Sequence, residues 1–439
     1  MALSSSSHMV QLREAYNRKR QELKKRAPRV LLLGYTGVGK STLINLFFGP
    51  NTAKAGAGRP ITSAFASYPA TVECPVHLHD SEGFTATNAD GQTKAVVEYL
   101  KAAEDNEPID IVWFIVNAAS KRFDDKLLQI LIEGSPRVPV IIVINQCDLV
   151  NRDDLKDVMT AAQTFQHSHT QVKGIVKMAA NPEEKPAPKV CPKDPSHTDI
   201  VVRQKFLKWA CMECDPGETE GSIDATPYGA EELEKATRDL LPPLAKESFL
   251  AAQVVSLDAK TKPAIAILLG GCLSAYAVGW SPLPFSDAAL LIPIQIGMLA
   301  GLSSLYSVPG FVALRLMSQG PAACGIVGLS IATGLKFIPG IGTLVGGLID
   351  SSVAFVVTCV LGVVAIFLLR KVNQTLVSGA LAEDPSAVQR VIESVDLGPI
   401  FSSVYKALWA KRGALTTGDE GSERLLESIL DDLESPPSA

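Results

Sequence analysis

Between residues 29 and 180 the chain alternates short apolar runs with longer amphipathic ones. RVLLLG (29–34), VHLHDS (76–81), IDIVWFIVNA (109–118), VPVIIVINQCD (138–148) and GIVKMAA (174–180) are rich in Val, Ile and Leu and predict strands. KSTLINLFFG (40–49), TKAVVEYLKAAED (93–105) and DDKLLQILIEG (124–134) predict helices. Nearly continuous apolar strands separated by helices predict a mostly parallel sheet with helices on both faces. Residues 181–226 open with the Pro-rich NPEEKPAPK and break this pattern, which resumes with a helix in YGAEELEKATRDLLPPL (228–244). That order predicts an α/β domain at 28–250 with an insertion at 181–226. An all-α hydrophobic domain follows at 251–371, then amphipathic helices and an acidic tail at 372–439. Residues 1–27 form a basic N-terminal helix, expected to be a solvated surface helix rather than a lipid-binding one.

Charge sharpens this division. With 41 Lys and Arg against 46 Asp and Glu, the chain has no overall basic excess, and no nucleic-acid partner is predicted. Locally, seven of residues 12–26 are Lys or Arg, whereas 263–369 holds only Asp287, Arg315, Lys336 and Asp350. At ordinary composition about 27 charges would be expected there. Several uncharged pieces reach the roughly 20 residues of a membrane span. The foremost is SSVAFVVTCVLGVVAIFLL, stopped by Arg370 and Lys371; PAIAILLGGCLSAYAVGW (263–280) is next. PLPFSDAALLIPIQIGMLAGL and KFIPGIGTLVGGLIDSS are interrupted by Pro and Gly, as in hairpin helices. The competing reading is a soluble helical bundle with a Gly/Ala-rich core, which needs a polar face that four charges barely supply. No apolar leader core stands in MALSSSSHMVQLREAY.

The chemistry is concentrated in GYTGVGKST (34–42), which follows a predicted strand and opens a predicted helix. Gly34, Gly39, Lys40 and Ser41 fit the phosphate-loop pattern G-x-x-x-x-G-K-[ST]. In that pattern the backbone of Thr36, Gly37, Val38 and Gly39 curls around phosphates, Lys40 reaches the β and γ oxygens, and Ser41 ligates Mg²⁺, with Thr42 following. The helix opening at Lys40 turns its positive end to the anion. The loop alone does not separate ATP from GTP.

GRPIT (58–62), DSEG (80–83) and NQCD (145–148) follow it in an order and spacing that resemble the Era-like GTPases of the translation-factor-related class. The resemblance implies that Thr62 senses Mg²⁺ and the γ-phosphate, that Asp80 holds Mg²⁺ through water, and that the Gly83 amide meets the γ-phosphate. It implies that Asn145 and Asp148 read guanine. A carboxylate accepting from N1–H and the N2 amine rejects adenine, which leaves those acceptors unpaired. Gln146 stands where the family has Lys, so a weakened but retained guanine preference is expected. MAAN (178–181) stands for the last base motif, with Ala179 and Ala180 in place and the Ala180 amide offered to guanine O6. Phe84 follows Gly83 where many GTPases carry a water-orienting Gln, and an apolar side chain cannot orient water. The likeness, together with a more distant one to immunity-related GTPases, implies slow turnover raised by dimerisation or a partner.

Two further stretches carry candidate chemistry. Cys191, His197, Cys211 and Cys214 bracket an alternating, hairpin-like TDIVVRQKFLK and are candidate Zn²⁺ ligands. Asp194 stands where a zinc ribbon has its second Cys, so a degenerate hairpin without metal remains the alternative. CPVHLH (74–79) reads as strand rather than metal site. The stretch 260–370 resembles the hydrophobic C-terminal domain of unknown function that follows Era-like G domains in membrane-associated GTPases of bacterial and plant type. That likeness implies a lipid-membrane location with the G domain facing the cytosol or stroma. The expected function is a GTP/GDP switch at a membrane. The alternatives are a GTP-dependent, homodimeric or oligomeric membrane remodeller, and a nucleotide-binding scaffold without turnover.

Overall fold

A computed structural model describes residues 2–49, 52–55, 59–62, 65–81, 89–120, 123–134, 136–181, 196, 200–203, 208–211, 220–222, 227–278, 287–308, 351–377, 394–395, 397–415 and 420–434. Seven strands form one sheet: β1 (Arg29–Gly34), β2 (Arg59–Thr62), β3 (Phe65–Tyr68), β4 (His77–Ser81), β5 (Ile111–Asn117), β6 (Val140–Asn145) and β7 (Val172–Lys177). Their order is β2-β3-β4-β1-β5-β6-β7, parallel from β4 to β7 and antiparallel across β2-β3-β4. The helices are α1 (Ala2–Lys25), α2 (Lys40–Phe48), α3 (Thr52–Ala55), α4 (Ala89–Asn106), α5 (Asp125–Gly134), α6 (Arg152–Ser168), α7 (Ala230–Leu240) and α8 (Pro243–Ala252).

The apolar strand runs explain the layers. Successive side chains point to opposite faces. Leu31, Leu33, Val112, Phe114, Ile142 and Ile144 thus enter one core with α4, α5 and α6. Val30, Leu32, Ile111, Trp113, Ile141 and Val143 enter the other with α2, α7 and α8. Trp113 is fully buried, packs against Phe47 at 4.9 Å, and donates its indole N–H to Thr237 Oγ1 at 2.9 Å. In the insertion, β8 (Ile200–Arg203), β9 (Lys208–Cys211) and β10 (Glu220–Ser222) form a separate antiparallel sheet, β10-β9-β8.

The second body is helical: α9 (Asp258–Val278), α10 (Asp287–Leu305), α11 (Ser351–Val377), α12 (Leu397–Ala410), α13 (Arg412–Leu415) and α14 (Glu420–Glu434). Pro263 and Pro293 lie inside α9 and α10 without ending them, so the interruption expected at Pro293 is absent. Packing overrides propensity there. KFIPGIGTLVGGLIDSS lies, up to residue 350, outside the described residues. Among the described helices one, through Ala354–Gln374, is long and apolar enough to cross a membrane, and 89% of its most apolar window is buried inside the protein. The amphipathic tail helices join the same core through Leu408, Leu426 and Leu430. Arg370 of α11 pairs with Asp258 of α9 at 3.1 Å and with Glu434 of α14 at 3.0 Å.

Helix α1 is not the solvated surface helix expected from its charge. Leu12 and Tyr16 enter the helical core, Leu23 is buried, and Arg20 has no exposed surface. Its apolar and long side chains recur at helical spacing, and that stripe lies in the seam between the two bodies. Tyr16 donates to Val308 O (2.9 Å), and Ser248 of α8 donates to Leu23 O (2.8 Å).

The seam also buries Lys260 completely, its Nζ without a hydrogen-bond partner in the structure and 5.9 Å from the centre of the Tyr306 ring. Burial holds its ammonium down to about 7, with Arg20 acting in the same direction and Glu234 of α7 opposing. A lysine depressed on folding contributes stability above its unfolded pKa, and that contribution is lost as pH falls toward the folded value. Raising pH from 7 to 9 should therefore stabilise the protein by about 2 kcal/mol in urea denaturation. Lys260→Met should lose that rise and exceed the wild type at pH 7. Equal pH slopes for the two proteins would disprove the assignment.

Candidate nucleotide-binding site

The site grows from the C-terminal ends of β1, β4 and β6, the crevice where a parallel sheet presents ligands. The loop after β1 needs left-handed backbone at Gly37 (φ 83°) and Gly39 (φ 95°), and Gly39 caps the start of α2. A Cβ at Gly39 would stand 2.4 Å from Asn145 Nδ2, so glycine here also admits the base-side loop. Backbone N–H groups and the opening turn of α2 make this concavity an anion cradle.

Lys40 is buried in the cradle, and its Nζ donates to Gly34 O and Tyr35 O at 3.2 Å each. Burial lowers its pKa, and the nearby Asp80 carboxylate opposes that shift. Asp80, the fourth residue of β4, is pushed by burial up to about 6, against the lowering effects of Lys40 and of a hydrogen bond with Ser41. Asp80 Oδ1 is buried with no hydrogen-bond partner in the structure. An orphaned carboxylate oxygen beside an exposed serine hydroxyl fits a hard, oxygen-seeking cation, so Ser41 and Asp80 are suited to hold Mg²⁺.

On the base side Asn145 is almost fully buried and joins two loops. Its Nδ2 donates to Val38 O at 2.9 Å, and its Oδ1 accepts from the Ala180 amide at 3.1 Å. The Ala180 amide expected to meet guanine O6 thus lies at the base-side loop, where it donates to Asn145. Ala179 is locked to Tyr228 by two backbone hydrogen bonds of 3.2 Å. Gln146 adopts φ 61° and donates its side-chain amide to Gly37 O at 3.3 Å, so it braces the phosphate loop. Asp148 lies half-buried on the short 3₁₀ turn Cys147–Leu149, near the same loop end.

Thr62 ends β2, the outermost strand, three strand spacings or about 14 Å from β1. Its backbone pairs with Phe65 of β3, and β2 lies two strands out from β4, which carries Asp80. Gly83 and Phe84 lie outside the described residues, as do Cys191, His197 and Cys214; Cys211 ends β9, its side chain outside the description. Among the described residues no group of three His, Cys, Asp or Glu is placed to hold a metal ion. His79 lies on β4, as its strand assignment requires, its Nδ1 2.7 Å from Tyr99 OH. Sequence reasoning missed Tyr35, whose hydroxyl hydrogen-bonds Asp124 Oδ2 and ties the phosphate loop to the start of α5. Asp124 also accepts from the Leu127 amide at 3.0 Å, a helix-capping pattern visible in the sequence only with hindsight.

Sheet order, phosphate loop and base-side loops together define the class: the chain carries a GTP-binding G domain of the P-loop GTPase type, followed by a helical region. The model of the 50S ribosome-binding GTPase family matches residues 29–146. Among curated proteins no sequence matches the chain. Elongation factor SelB from Methanococcus maripaludis, solved with the GTP analogue GppNHp, is 16% identical with a TM-score of 0.25, covering 35% of this chain and 30% of SelB. A Sar1-type GTPase from Encephalitozoon cuniculi with GDP is 16% identical with a TM-score of 0.24, covering 39% and 79%. A dimerization-deficient Toc33 variant from Arabidopsis thaliana is 12% identical with a TM-score of 0.29, covering 53% and 91%. The chain thus spans under a third of SelB's length, and likenesses this slight fix neither activity nor partner.

Asn145→Ala removes both side-chain hydrogen bonds and leaves Val38 O and the Ala180 N–H unpaired, at about 1–3 kcal/mol each. Calorimetric titration should show GDP binding weakened at least about tenfold. Unchanged affinity would show that the two loops hold without it.

Proposed function

We propose that the protein is a slow GTPase that acts as a nucleotide-dependent switch, with the helical body as its output. The observation that carries this reading is Arg20. Its guanidinium donates to Val72 O (2.6 Å) and Glu73 O (2.5 Å) in the turn between β3 and β4, and to Ser304 O (2.8 Å) near the end of α10. The strand before that turn pairs with the strand ending in Thr62, and the strand after it carries Asp80. Both are residues whose partners change when a γ-phosphate and its Mg²⁺ are gained or lost. A shift of this hairpin cannot leave the three carbonyls paired unless α1 or α10 moves with it.

In this reading Ser41 and Asp80 would hold Mg²⁺, Thr62 would leave the sheet edge to join them when GTP binds, and Lys40 neutralises charge developing on the phosphates during hydrolysis. Asp148 selects guanine through N1–H and N2–H. Mg²⁺ held by Ser41 and Asp80 would supply positive charge that offsets the charge of the phosphates.

Titration with GDP and ADP tests the nucleotide, with at least about 100-fold preference for GDP expected from a lost bidentate pair. Phosphate release should fall to background in Lys40→Ala. Equal affinities would remove the guanine assignment, and a wild-type rate equal to that of Lys40→Ala would leave a binding scaffold. GTP-dependent sedimentation with liposomes would favour a membrane remodeller instead.

Hydrogen exchange tests the relay. Residues 302–308 should change protection between GDP and a GTP analogue in the wild type, and should lose that response in Arg20→Ala with GDP affinity kept within about threefold. A response of equal size in Arg20→Ala would exclude Arg20 as the route.

A further inference from the structure

Two thiols meet in the middle of the helical body. Cys272 of α9 and Cys359 of α11 are both fully buried, and their sulfurs lie 2.8 Å apart. The two helices run antiparallel: Asp258 at the start of α9 pairs with Arg370 towards the end of α11, and the cysteines meet about four turns away along α9. Close approach depends on glycine. A Cβ at Gly362 would stand 2.1 Å from Leu268 Cδ1, and one at Gly271 2.8 Å from Met298 Sδ. The thiols therefore face each other where α9 and α11 approach closely, beside Leu268 packed over Gly362. Cys147, in contrast, donates its thiol to Ile144 O at 3.1 Å and is satisfied within the G domain.

We propose that Cys272 and Cys359 are a modification site at which an intramolecular disulfide forms and staples α9 to α11, with a low-molecular-weight disulfide as oxidant. One cysteine, as thiolate, attacks the S–S bond of the oxidant RSSR, giving a mixed disulfide and releasing RS⁻. The second cysteine attacks the protein sulfur of the mixed disulfide, closes the Cys272–Cys359 bond and releases the second RS⁻. The protein loses two electrons and two protons; the two sulfurs of the oxidant take the electrons, and the protons end on two RSH. Burial sets the timing, because a reagent reaches these sulfurs as the bundle folds or opens and not through its closed surface. The bond closes a long loop, so it removes substantial freedom from the unfolded chain. It would fix at a second point two helices already joined at their polar end by Arg370 and Asp258.

The full chain should be synthesised in a cell-free system containing oxidised glutathione, in parallel with one containing a phosphine reductant, then alkylated and mapped by mass spectrometry. The expected result is a linked Cys272–Cys359 peptide in the oxidised sample alone, 2 Da lighter than the two thiol peptides together. Its thermal midpoint should lie at least about 5 °C above that of the reduced protein. Cys359→Ala should lose both the linked peptide and the shift. Recovery of Cys272 and Cys359 as separately alkylated peptides from the oxidised synthesis overturns the proposal, since the thiols are accessible while the chain folds. Linkage to other cysteines in their place overturns it equally, and both readouts come from the wild-type chain whether or not the variant folds.

Discussion

Burying a guanidinium without exposed surface is costly unless its donors are filled. Each of the three guanidinium nitrogens of Arg20 donates to a main-chain carbonyl, and the carbonyls come from two separate bodies. These acceptors are neutral, so the interaction rests on geometry more than on charge pairing: a planar fork reaches several carbonyls that no compact ammonium reaches at once. Losing any one contact leaves buried polarity behind, and the register of α1, the β3–β4 turn and α10 is fixed together. The neighbouring Lys260, buried and fully covered, feels the same cation. One residue on a helix of ordinary basic appearance therefore organises the seam through which the nucleotide domain meets the rest of the chain.

The nucleotide site depends on that seam only at one edge. Its phosphate side is built locally, by β1, two left-handed glycines and the first turn of α2. Its base side is built by long-range contacts that converge on Asn145 and Gln146. Gln146, standing where the resemblance implies Lys, reaches across to the Gly37 carbonyl with its amide donor. The antiparallel end of the sheet is built by β2 and β3, and the turn from β3 to β4 is the part that Arg20 holds.

What was legible followed from physical redundancy. The central strands β1, β5 and β6 announce themselves because burial on both faces demands nearly unbroken apolar runs. The phosphate loop announces itself because glycine, lysine and serine are each needed at fixed spacing. Arg59–Thr62 and Phe65–Tyr68 did not read as strands, because both are four-residue strands of mixed composition and their pairing is opened by a register shift. Arg152–Ser168 is polar along much of its length and buries only a narrow stripe, including Val158, Ala162 and Phe165, so its periodicity is faint. The buried role of Arg20 was illegible for a different reason: among seven basic residues in fifteen, sequence does not say which one faces a carbonyl and which one faces water.

The hydrophobic segment shows the limit of composition as a guide to surroundings. An apolar helix without charges satisfies lipid and a bundle interior alike, because both lack water and both require every backbone group to be paired within the helix. The protein supplies further facts that composition lacks. Val356, Val363 and Ile366 of α11 are shielded by α9, α10 and the tail helices rather than presented outward, and Thr358 on the same helix accepts from Gln295 at 3.2 Å inside the bundle. Arg370, whose position after an apolar run would suit the end of a membrane span, is instead nearly buried and paired with two carboxylates from different helices. A basic residue anchored in that manner closes a bundle. It makes the polar end of α11 a structural junction between α9 and α14, close to where α10 ends: Asn373, one turn further on, donates to Tyr306 O at 2.6 Å, and Tyr306 directly follows α10. The carbonyls of Ser304 and Tyr306, two residues apart, thus take hydrogen bonds from Arg20 of α1 and Asn373 of α11, so the end of α10 is held from both.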